Sequence, residues 1–438
     1  RFEPCCRFDI GGCRVSGEER IQIRIGMDDT DHVDMGCTTF ELNDLISVIS
    51  TKINSFEEKE RRLVRLWPFA NRRTRGNAAL ASLAIIDSDK LEHLYSIIDQ
   101  WMSKLKTKIV NHPSDGIQAS PSVIVAIDKL PSSMYWDAVR NQVRIEERVS
   151  KLNDVRVFGE ENAWGLIGSS SAIAWEPNIN STWELIAWRK DSMIGSQRIV
   201  SNESIIAMEE EIPGTFANRD PTKDRGIIAP RTPCPVLYGI RGSTKKQVSL
   251  AHNFLQKRDD VEQCMSFAIH RTNQLSDDHI DGFHRAVILS HPIEMIGGHA
   301  KISCLISGSR EDLVAFKESG SVNGILRRLA VGDIIDFVGL KNNDNSYHLE
   351  RIRLVNNTPR INSRPLCCGK ATKSAGFNQN LRCNLCGTIH EKIWLTKELD
   401  VEINMWVEPS PSNRRHLSMP LSIGNPGSAK IKSRTSSE

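Results

Sequence analysis

The sequence has no apolar run approaching the ~18 residues that a membrane-spanning helix requires, so no helical membrane span is expected. A secretion signal is missing too. Residues 1 to 20 mix Arg, Glu and Asp with Cys5, Cys6 and Cys13 and contain no continuous apolar stretch, which makes the cytoplasm the expected compartment. No methionine precedes Met27, so residues 1–20 are expected to be an extension outside the folded core. Eleven cysteines, an odd number unevenly spread over a long chain, argue against a disulfide framework and for thiols or metal ligands. Strong net charge is also absent, and a formal +3 does not by itself identify a nucleic-acid partner.

What is present is length and mixed composition. At 438 residues, with 25% charged and 39% hydrophobic, the chain exceeds one typical core, and roughly 150 residues per domain suggests about three units. The alternating run Ile21-Gln22-Ile23-Arg24-Ile25 reads as a half-buried strand, and Asp28, Asp29 and Asp31 follow at its carboxyl end. Like charges this close repel unless neutralised, so a Mg²⁺ that also holds phosphate oxygens is one reading and a solvated acidic turn the other. Phe40, Leu42, Leu45, Ile46, Ile49 and Ile53 keep helical spacing, which sets Thr38 and Thr39 at a helix N-terminus suited to phosphate. Thr38-Thr39-Phe40-Glu41 equally has the form of a capping box without catalysis.

Up to about residue 190 the pattern is mixed α and β. Leu63 to Trp67, Ser122 to Ile127 and Glu184 to Arg189 read as strands, Asn77 to Ile86 as a small-residue helix after the basic turn Arg72 to Gly76, and Tyr135 to Leu152 as a charged helix. The glycine and serine run from Gly165 to Ser171 could bring backbone N–H groups to phosphate, or serve close packing. A second region from Ser201 is punctuated by prolines around a Val236 to Ile240 strand. From about Phe283 to Val355, short strands at 286–289, 299–306, 333–340 and 347–355 suit a small barrel, of oligonucleotide-binding type or a generic sandwich. Cys383-x-x-Cys386 with Cys367 and Cys368 upstream offers four thiolates for a structural zinc, although adjacent cysteines depart from the usual knuckle. Beyond Pro409, Arg414, Arg415, Lys430, Lys432 and Arg434 face one acid, Glu438, and read as a mobile basic tail that contacts phosphates or merely solubilises.

Ile25-Gly26-Met27-Asp28-Asp29-Thr30-Asp31 followed by Cys37-Thr38-Thr39 resembles the G-I-D-D-T-D…C-T-T signature of the archaeal agmatidine synthetase family, the 2-agmatinylcytidine synthetases of isoleucine tRNA. Thr74 to Asn77, Gly165 to Gly168, Thr182 to Ala187, Pro233 to Gly242, Arg271 to Gln274, Gly297 to His299 and Arg414 to Leu417 resemble further family motifs in the same order. The resemblance runs from about residue 21 to 421. It implies an ATP-dependent ligase that joins agmatine to C2 of the wobble cytidine of isoleucine tRNA with a CAU anticodon, through a phosphorylated cytidine. Competing classes are a non-catalytic nucleic-acid-binding protein and another Mg-dependent phosphotransferase.

Carried over, the resemblance implies an α+β multidomain chain. Its parts would be a kinase-like α/β domain at 21–200, a ferredoxin-like domain at 201–280, an OB-fold barrel at 281–357, a zinc ribbon at 358–395 and a basic tail at 396–438. Asp28, Asp29 and Asp31 would hold Mg²⁺ and, with Thr38 as a phosphorylated threonine, form the catalytic set. ATP would meet Arg75, Gly76, Asn77, Gly165, Gly168 and Ser169, and zinc would be held by Cys367, Cys368, Cys383 and Cys386. Asp220 is the expected acidic partner of agmatine. Arg271, His299, Lys301, Arg414 and Arg415 are expected on the tRNA. The chain departs from the family pattern in the extra carboxylate Asp34, in Ser120-Pro121-Ser122 where a turn is usual, and in the shortened first knuckle.

Overall fold

The computed structural model describes residues 19–32, 36–73, 76–113, 116–342, 344–392, 395–397 and 401–427, with backbone alone at 361–363 and 395–397. Most of the 1–20 extension, Asp34, Arg75 and the last basic residues Lys430, Lys432 and Arg434 lie outside these residues. No described helix is long and apolar enough to cross a membrane.

Residues 20–272 build one eight-stranded sheet. Its elements in order are β1 (Arg20–Asp28), α1 (Thr38–Lys52), β2 (Glu57–Arg65), β3 (Ala78–Asp87), α2 (Leu91–Asn111), β4 (Ser122–Ala126), α3 (Ser133–Arg140), α4 (Ile145–Val149) and β5 (Val155–Gly159). There follow α5 (Gly165–Ala174), β6 (Thr182–Trp188), α6 (Asn202–Glu211), the short pair β7 (Arg219–Asp220) and β8 (Arg225–Gly226), β9 (Val236–Gly242), α7 (Lys245–Leu255) and β10 (Ser266–Thr272). The strand order is β5-β4-β1-β3-β2-β10-β6-β9. Every neighbouring pair is antiparallel except β2 and β10, which meet in parallel through Arg62↔Arg271 and Leu63↔Thr272. Beyond that short ladder the Asn273 side chain takes over, accepting from Arg65 N at 2.7 Å and donating to Arg65 O at 2.9 Å. The sheet thus passes unbroken through residue 200. Because β6 pairs with both β9 and β10, the division expected there falls inside a structural unit.

Strand β1 is buried on both faces rather than half-buried. Ile23, Ile25 and Met27 join Leu42, Leu45 and Ile49 of α1 and Ile97 and Ile98 of α2 in one core, while its opposite face meets α5. The stretch from Asn77, expected as a helix, is strand β3, in register with β1 through Leu80↔Met27 and with β2 through Leu80↔Leu63. Ala79 and Ala81 face the α5 side and Leu80, Ala84 and Ile86 the other, so both faces of this strand are covered. A small apolar run does not reveal its period, and sheet pairing decided it. The expected charged helix from Tyr135 to Leu152 is split into α3 and α4, because Asn141 turns to extended backbone (φ −142°, ψ 164°).

The barrel follows as β11 (His284–Ile288), β12 (Ile293–Glu294), β13 (Ala300–Ile306), β14 (Ser309–Ala315), α8 (Ser321–Leu326), β15 (Ile334–Lys341) and β16 (Ser346–Asn356). Pairing in the order β11-β15-β16-β14-β13 closes through β11 to β13, giving five strands, with β12 added beside β13. Strand β14, absent from the expected set, forms a tight hairpin with β13. Alternate residues Ile302, Cys304, Leu313, Ile335, Phe337 and Ile352 fill the interior, joined by Val322, Ile325 and Leu326 of α8.

The expected mobile tail is a packed strap over its described part. Residues 401–427 cross the barrel, with Ile352 N donating to Val407 O at 3.1 Å, then reach the sheet, where Leu275 N and Asp277 N donate to His416 O and Leu417 O at 2.9 Å each. Backbone groups buried between two units must find partners, and these segments supply them to each other.

The join between α5 and β1 predicts a specific weakness. A Cβ at Gly26 would stand 2.3 Å from the carbonyl oxygen of Ser169. Gly26→Ala should cost about 1–3 kcal/mol of stability by overpacking, read by denaturant unfolding. A variant as stable as the wild type would show that α5 moves away freely.

Candidate active site

Strand β1 delivers Asp28 opposite Ser122 of β4, and the chain then turns at Asp29, whose φ of +55° few non-glycine residues adopt. The Asp28 carboxylate lies against α5, where a Cβ at Gly168 would be 1.8 Å from Asp28 Oδ2 and one at Gly165 would be 2.5 Å from the Asp28 carbonyl. Burial, and then the charge of Asp29, push the Asp28 carboxyl well above the usual carboxylate range. Asp29 is pushed up to about 6 by burial, although Arg72 Nη2 at 3.4 Å pulls it down. Asp31 is buried and accepts from Thr38 Oγ1 at 3.2 Å. Thr30 is wholly buried, and its Oγ1 has no partner among the described residues.

This is not a solvated acidic turn. Three carboxylates at a strand end, two of them (Asp28 and Asp29) raised in pKa and only partly offset by Arg72, form an oxygen-rich donor set that fits a hard divalent cation. A cleft opens beside them, lined by Asp28, Asp29, Thr38, Arg72, Arg73, Asn77, Trp164 and Gly168. Asn77 bends the chain at φ +47° and donates to Trp67 O at 2.8 Å, while the guanidinium of Arg72 lies 5.5 Å over the Trp164 ring.

Helix α1 starts at this cleft, but not through the expected capping box. Its N-cap residue is Cys37, without a side-chain cap; the Thr38 hydroxyl turns to Asp31, and Glu41 accepts from Lys108 Nζ at 2.6 Å. Behind it, Thr39 Oγ1 receives Trp188 Nε1 at 3.3 Å and lies 3.0 Å from Cys37 Sγ. The Gly165 to Ser169 segment is the start of α5, not an open turn. Gly165 N already donates to Ser120 O at 3.0 Å, and the buried Ser169 hydroxyl faces Leu166 O at 3.4 Å. Gly165 and Gly168 therefore shape the wall around Asp28 by close approach. Gly76 lies beside Arg65 and His416, and Arg75 is outside the described residues.

The remaining expected residues lie away from the cleft. Asp220 is wholly buried, and its carboxylate accepts from Thr222 N at 3.0 Å and Ser412 N at 3.1 Å, holding the strap to the β7 turn. Despite its burial, hydrogen bonds from Ser412 and Thr222 keep that carboxyl well below the carboxylate range. Arg271 reaches Glu60 at 3.4 Å and lies over Trp183, Lys301 pairs with Asp312 at 2.8 Å, and His299 Nδ1 accepts from Lys317 N at 3.0 Å. Arg414 pairs with Glu408 at 2.7 Å and Arg415 with Glu350 at 2.8 Å. A network that the sequence reading missed joins Arg65, Glu184, Arg241 and Gln274: each arginine stands 3.5 Å from a Glu184 oxygen, and Gln274 bonds the same carboxylate. Its advance signal was that Glu184, Arg241 and Gln274 each fall within one of the recognisable motifs.

The four cysteines converge. Their Sγ atoms all lie within 4.8 Å of one another, against the edge of about 3.8 Å in a tetrahedron with 2.3 Å zinc–sulfur bonds. Adjacency is solved by a two-residue hairpin. Cys367 pairs with Lys370 while Cys368 and Gly369 both take positive φ (+52° and +73°), which turns the second thiol back toward the first. On the other knuckle, Leu385 N points at Cys383 Sγ at 3.4 Å and Gly387 closes the turn at φ +75°.

Residues 24–161 match the family model for the TiaS TCKD domain, and 164–279 that for the TiaS FLD domain. The chain is 30% identical over 416 residues to TiaS of Methanocorpusculum labreanum, a 2-agmatinylcytidine synthetase of isoleucine tRNA, covering 90% of this chain and 95% of that one. The chain belongs to the TiaS family of tRNA 2-agmatinylcytidine synthetases. Among solved structures it is similar to the complex of TiaS with its isoleucine tRNA and ATP, with TM-score 0.80, 26% identity and coverage of 94% and 99%. It is likewise similar to the complex of TiaS with the same tRNA, AMPCPP and agmatine, with TM-score 0.77, 25% identity and the same coverage. Membership in this synthetase family extends over nearly the whole chain, strap and barrel included.

The buried carboxylates predict a pH signature in cation-free protein. Below about pH 4 Asp29 is protonated folded and unfolded, and its burial is without cost; as pH rises through 6 the unfolded state ionises first, and the fold loses up to about 3 kcal/mol. Asp29→Asn should therefore raise the melting temperature in chelator at pH 7.5, the gain fading below pH 4. Equal melting at pH 7.5 would remove the burial cost.

Proposed function

We propose that this chain attaches agmatine to C2 of the wobble cytidine of isoleucine tRNA with a CAU anticodon, at the expense of ATP. The observation that carries this reading is the acidic strand end with the Thr38 hydroxyl bonded to Asp31 at the mouth of a cleft, in a chain of this family throughout. In this reading the γ-phosphoryl group of ATP passes to the cytosine O2, and the primary amine of agmatine then forms the C2–N bond as the phosphate leaves with that oxygen. Phosphoryl transfer needs positioning and charge neutralisation more than covalent catalysis.

Asp28, Asp29 and Asp31 would hold Mg²⁺, which when bound neutralises phosphate charge. Arg72, on the cleft wall, faces the nucleotide phosphates, and Asn77 fixes the backbone next to Gly76. Thr38 presents its oxygen to the same cleft, which suits it as a phosphoryl acceptor. Leu66, Trp67 and Trp164 give the cleft apolar walls for a base taken out of its stack. Agmatine requires a carboxylate; Asp220 could receive it only by releasing Ser412.

The units then divide as a kinase-like domain near 24–161, a ferredoxin-like domain near 164–279, an OB-fold barrel at 281–357, and a zinc ribbon at 358–395 held by Cys367, Cys368, Cys383 and Cys386. Arg271, His299, Lys301, Arg414 and Arg415 belong in this reading to the tRNA-facing side. The reading as a non-catalytic binding protein leaves the raised carboxylates unexplained, since buried unneutralised acids cost stability and bind no RNA.

Two tests follow. Asp28→Asn should lower ATP-dependent agmatine incorporation into tRNA by more than ~10²-fold while RNA affinity stays within a few fold, and Thr38→Ser should retain activity that Thr38→Asn loses. Mass spectrometry of the tRNA reads the product; full incorporation by Asp28→Asn would overturn the assignment. Metal analysis should find about one zinc per chain, lost in Cys386→Ser together with protease resistance of 358–392, since such a module folds on its metal. Zinc-free protein with an intact ribbon would remove that site.

A further inference from the structure

A cavity of about 210 Å³ adjoins the acidic cleft beyond Asn77 and Leu66, and a second of about 290 Å³ continues from it. Arg65, Arg73 and Arg415 line the smaller; Arg225, Arg231 and Arg241 line the larger; among the described residues no carboxylate lines either. Arg415 and His416 belong to both and form the waist between them. The acids stand behind the arginines instead of in the cavity. Glu184, its side chain 4% exposed, is shared by Arg65 and Arg241, so this group retains a positive charge. Glu350, 5% exposed, braces Arg415 from behind, and Phe69 lies 4.7 Å beneath that guanidinium. Among the described residues Arg65 Nε has no partner, and Arg73 donates to the Ala70 carbonyl alone, at 3.0 Å.

Carboxylate-braced guanidiniums around a water-filled space make a rigid receptor for a tetrahedral anion, because the side-chain entropy of the arginines is already spent. Asn77, Leu66 and Arg73 are common walls of the smaller cavity and the acidic cleft, so an anion at the waist sits next to whatever enters the cleft. The ATP phosphates have their own place at the acidic strand end.

We infer that the waist is a phosphate seat, in which Arg65, Arg73 and Arg415 hold, against His416, the RNA backbone phosphate adjoining the nucleotide whose base enters the acidic cleft. This rests on the function proposed above. The seat supplies what the cleft lacks, a grip on the target nucleotide that does not read its base and that fixes how deeply the base penetrates. His416 also reports on it: Arg65, burial and Arg241 hold its imidazole well below the usual histidine range, and a phosphate placed between the arginines reverses that field.

The test uses the full chain with ¹⁵N-labelled histidine, titrated with inorganic phosphate, with the anticodon stem-loop of the tRNA, and with stem-loops carrying a methylphosphonate on either side of the wobble cytidine. The stem-loop should move the His416 resonance toward the protonated form, and one methylphosphonate should weaken binding ~10-fold. Arg65→Gln and Arg415→Gln should each weaken stem-loop binding by a similar factor and reduce the salt slope by about one, with ATP affinity unchanged and no further loss from the methylphosphonate. Wild-type affinity and slope in both variants, or indifference to both methylphosphonates, would overturn the seat. A His416 response to inorganic phosphate but not to bound RNA would assign the anion site to free phosphate and overturn its RNA role. Absence of any stem-loop binding, with the phosphate response retained, would instead overturn the proposed function.

Discussion

Helix α5 lies directly on strand β1, and the active-site geometry depends on that contact. Three glycines permit it: Gly26 under the Ser169 carbonyl, Gly165 against the Asp28 carbonyl and Gly168 against the Asp28 carboxylate. Side chains at these positions would hold the helix away and let water reach Asp28. The close approach removes solvent from the carboxylate, and the lost solvation is what raises its affinity for either a proton or a cation. The central position of β1, between β3 and β4, anchors the strand end so that this cost is borne without local unfolding.

The charges of the molecule are sorted by depth. At the strand end carboxylates face the cleft and one arginine, Arg72, stands beside them; a short distance away arginines face the cavities and carboxylates stand behind. Each arrangement leaves a local excess of one sign pointing into open space, with the opposite sign held at a distance that fixes side-chain geometry without cancelling the field. The net charge of +3 averages over both and conceals each.

The strand-end acids, helix α1, most barrel strands and the cysteine cluster were legible in the sequence, because each is written in a short local pattern: alternation, helical spacing or C-x-x-C. Strand β3 was not, since a run of alanines and leucines carries no period and its strand character comes from pairing with β1 and β2. The glycine and serine segment at 165–171 left a phosphate turn and close packing open, and the fold uses close packing, with the N–H groups consumed by Ser120 and by the helix itself. The Arg65, Glu184, Arg241 and His416 group comes from four distant segments, and its proximity exists only in the folded chain. The tail up to residue 427 was misjudged for a similar reason: its glycines and prolines suggest a loose end, while Val407, Ser412 and His416 supply backbone partners to buried groups elsewhere.

That strap has a consequence for biogenesis. Residues 411–417 supply a wall to cavities otherwise built from segments between 65 and 275, so these cavities are incomplete until more than a hundred further residues have been made. At ~5–20 residues per second, the sheet and its acidic cleft have several seconds on the ribosome in which to fold before the strap arrives. Order of synthesis therefore leaves these cavities without one wall until the strap is made. The strap also pairs with the barrel through Ile352 and Val407, so barrel and cavities are tied by the same late segment.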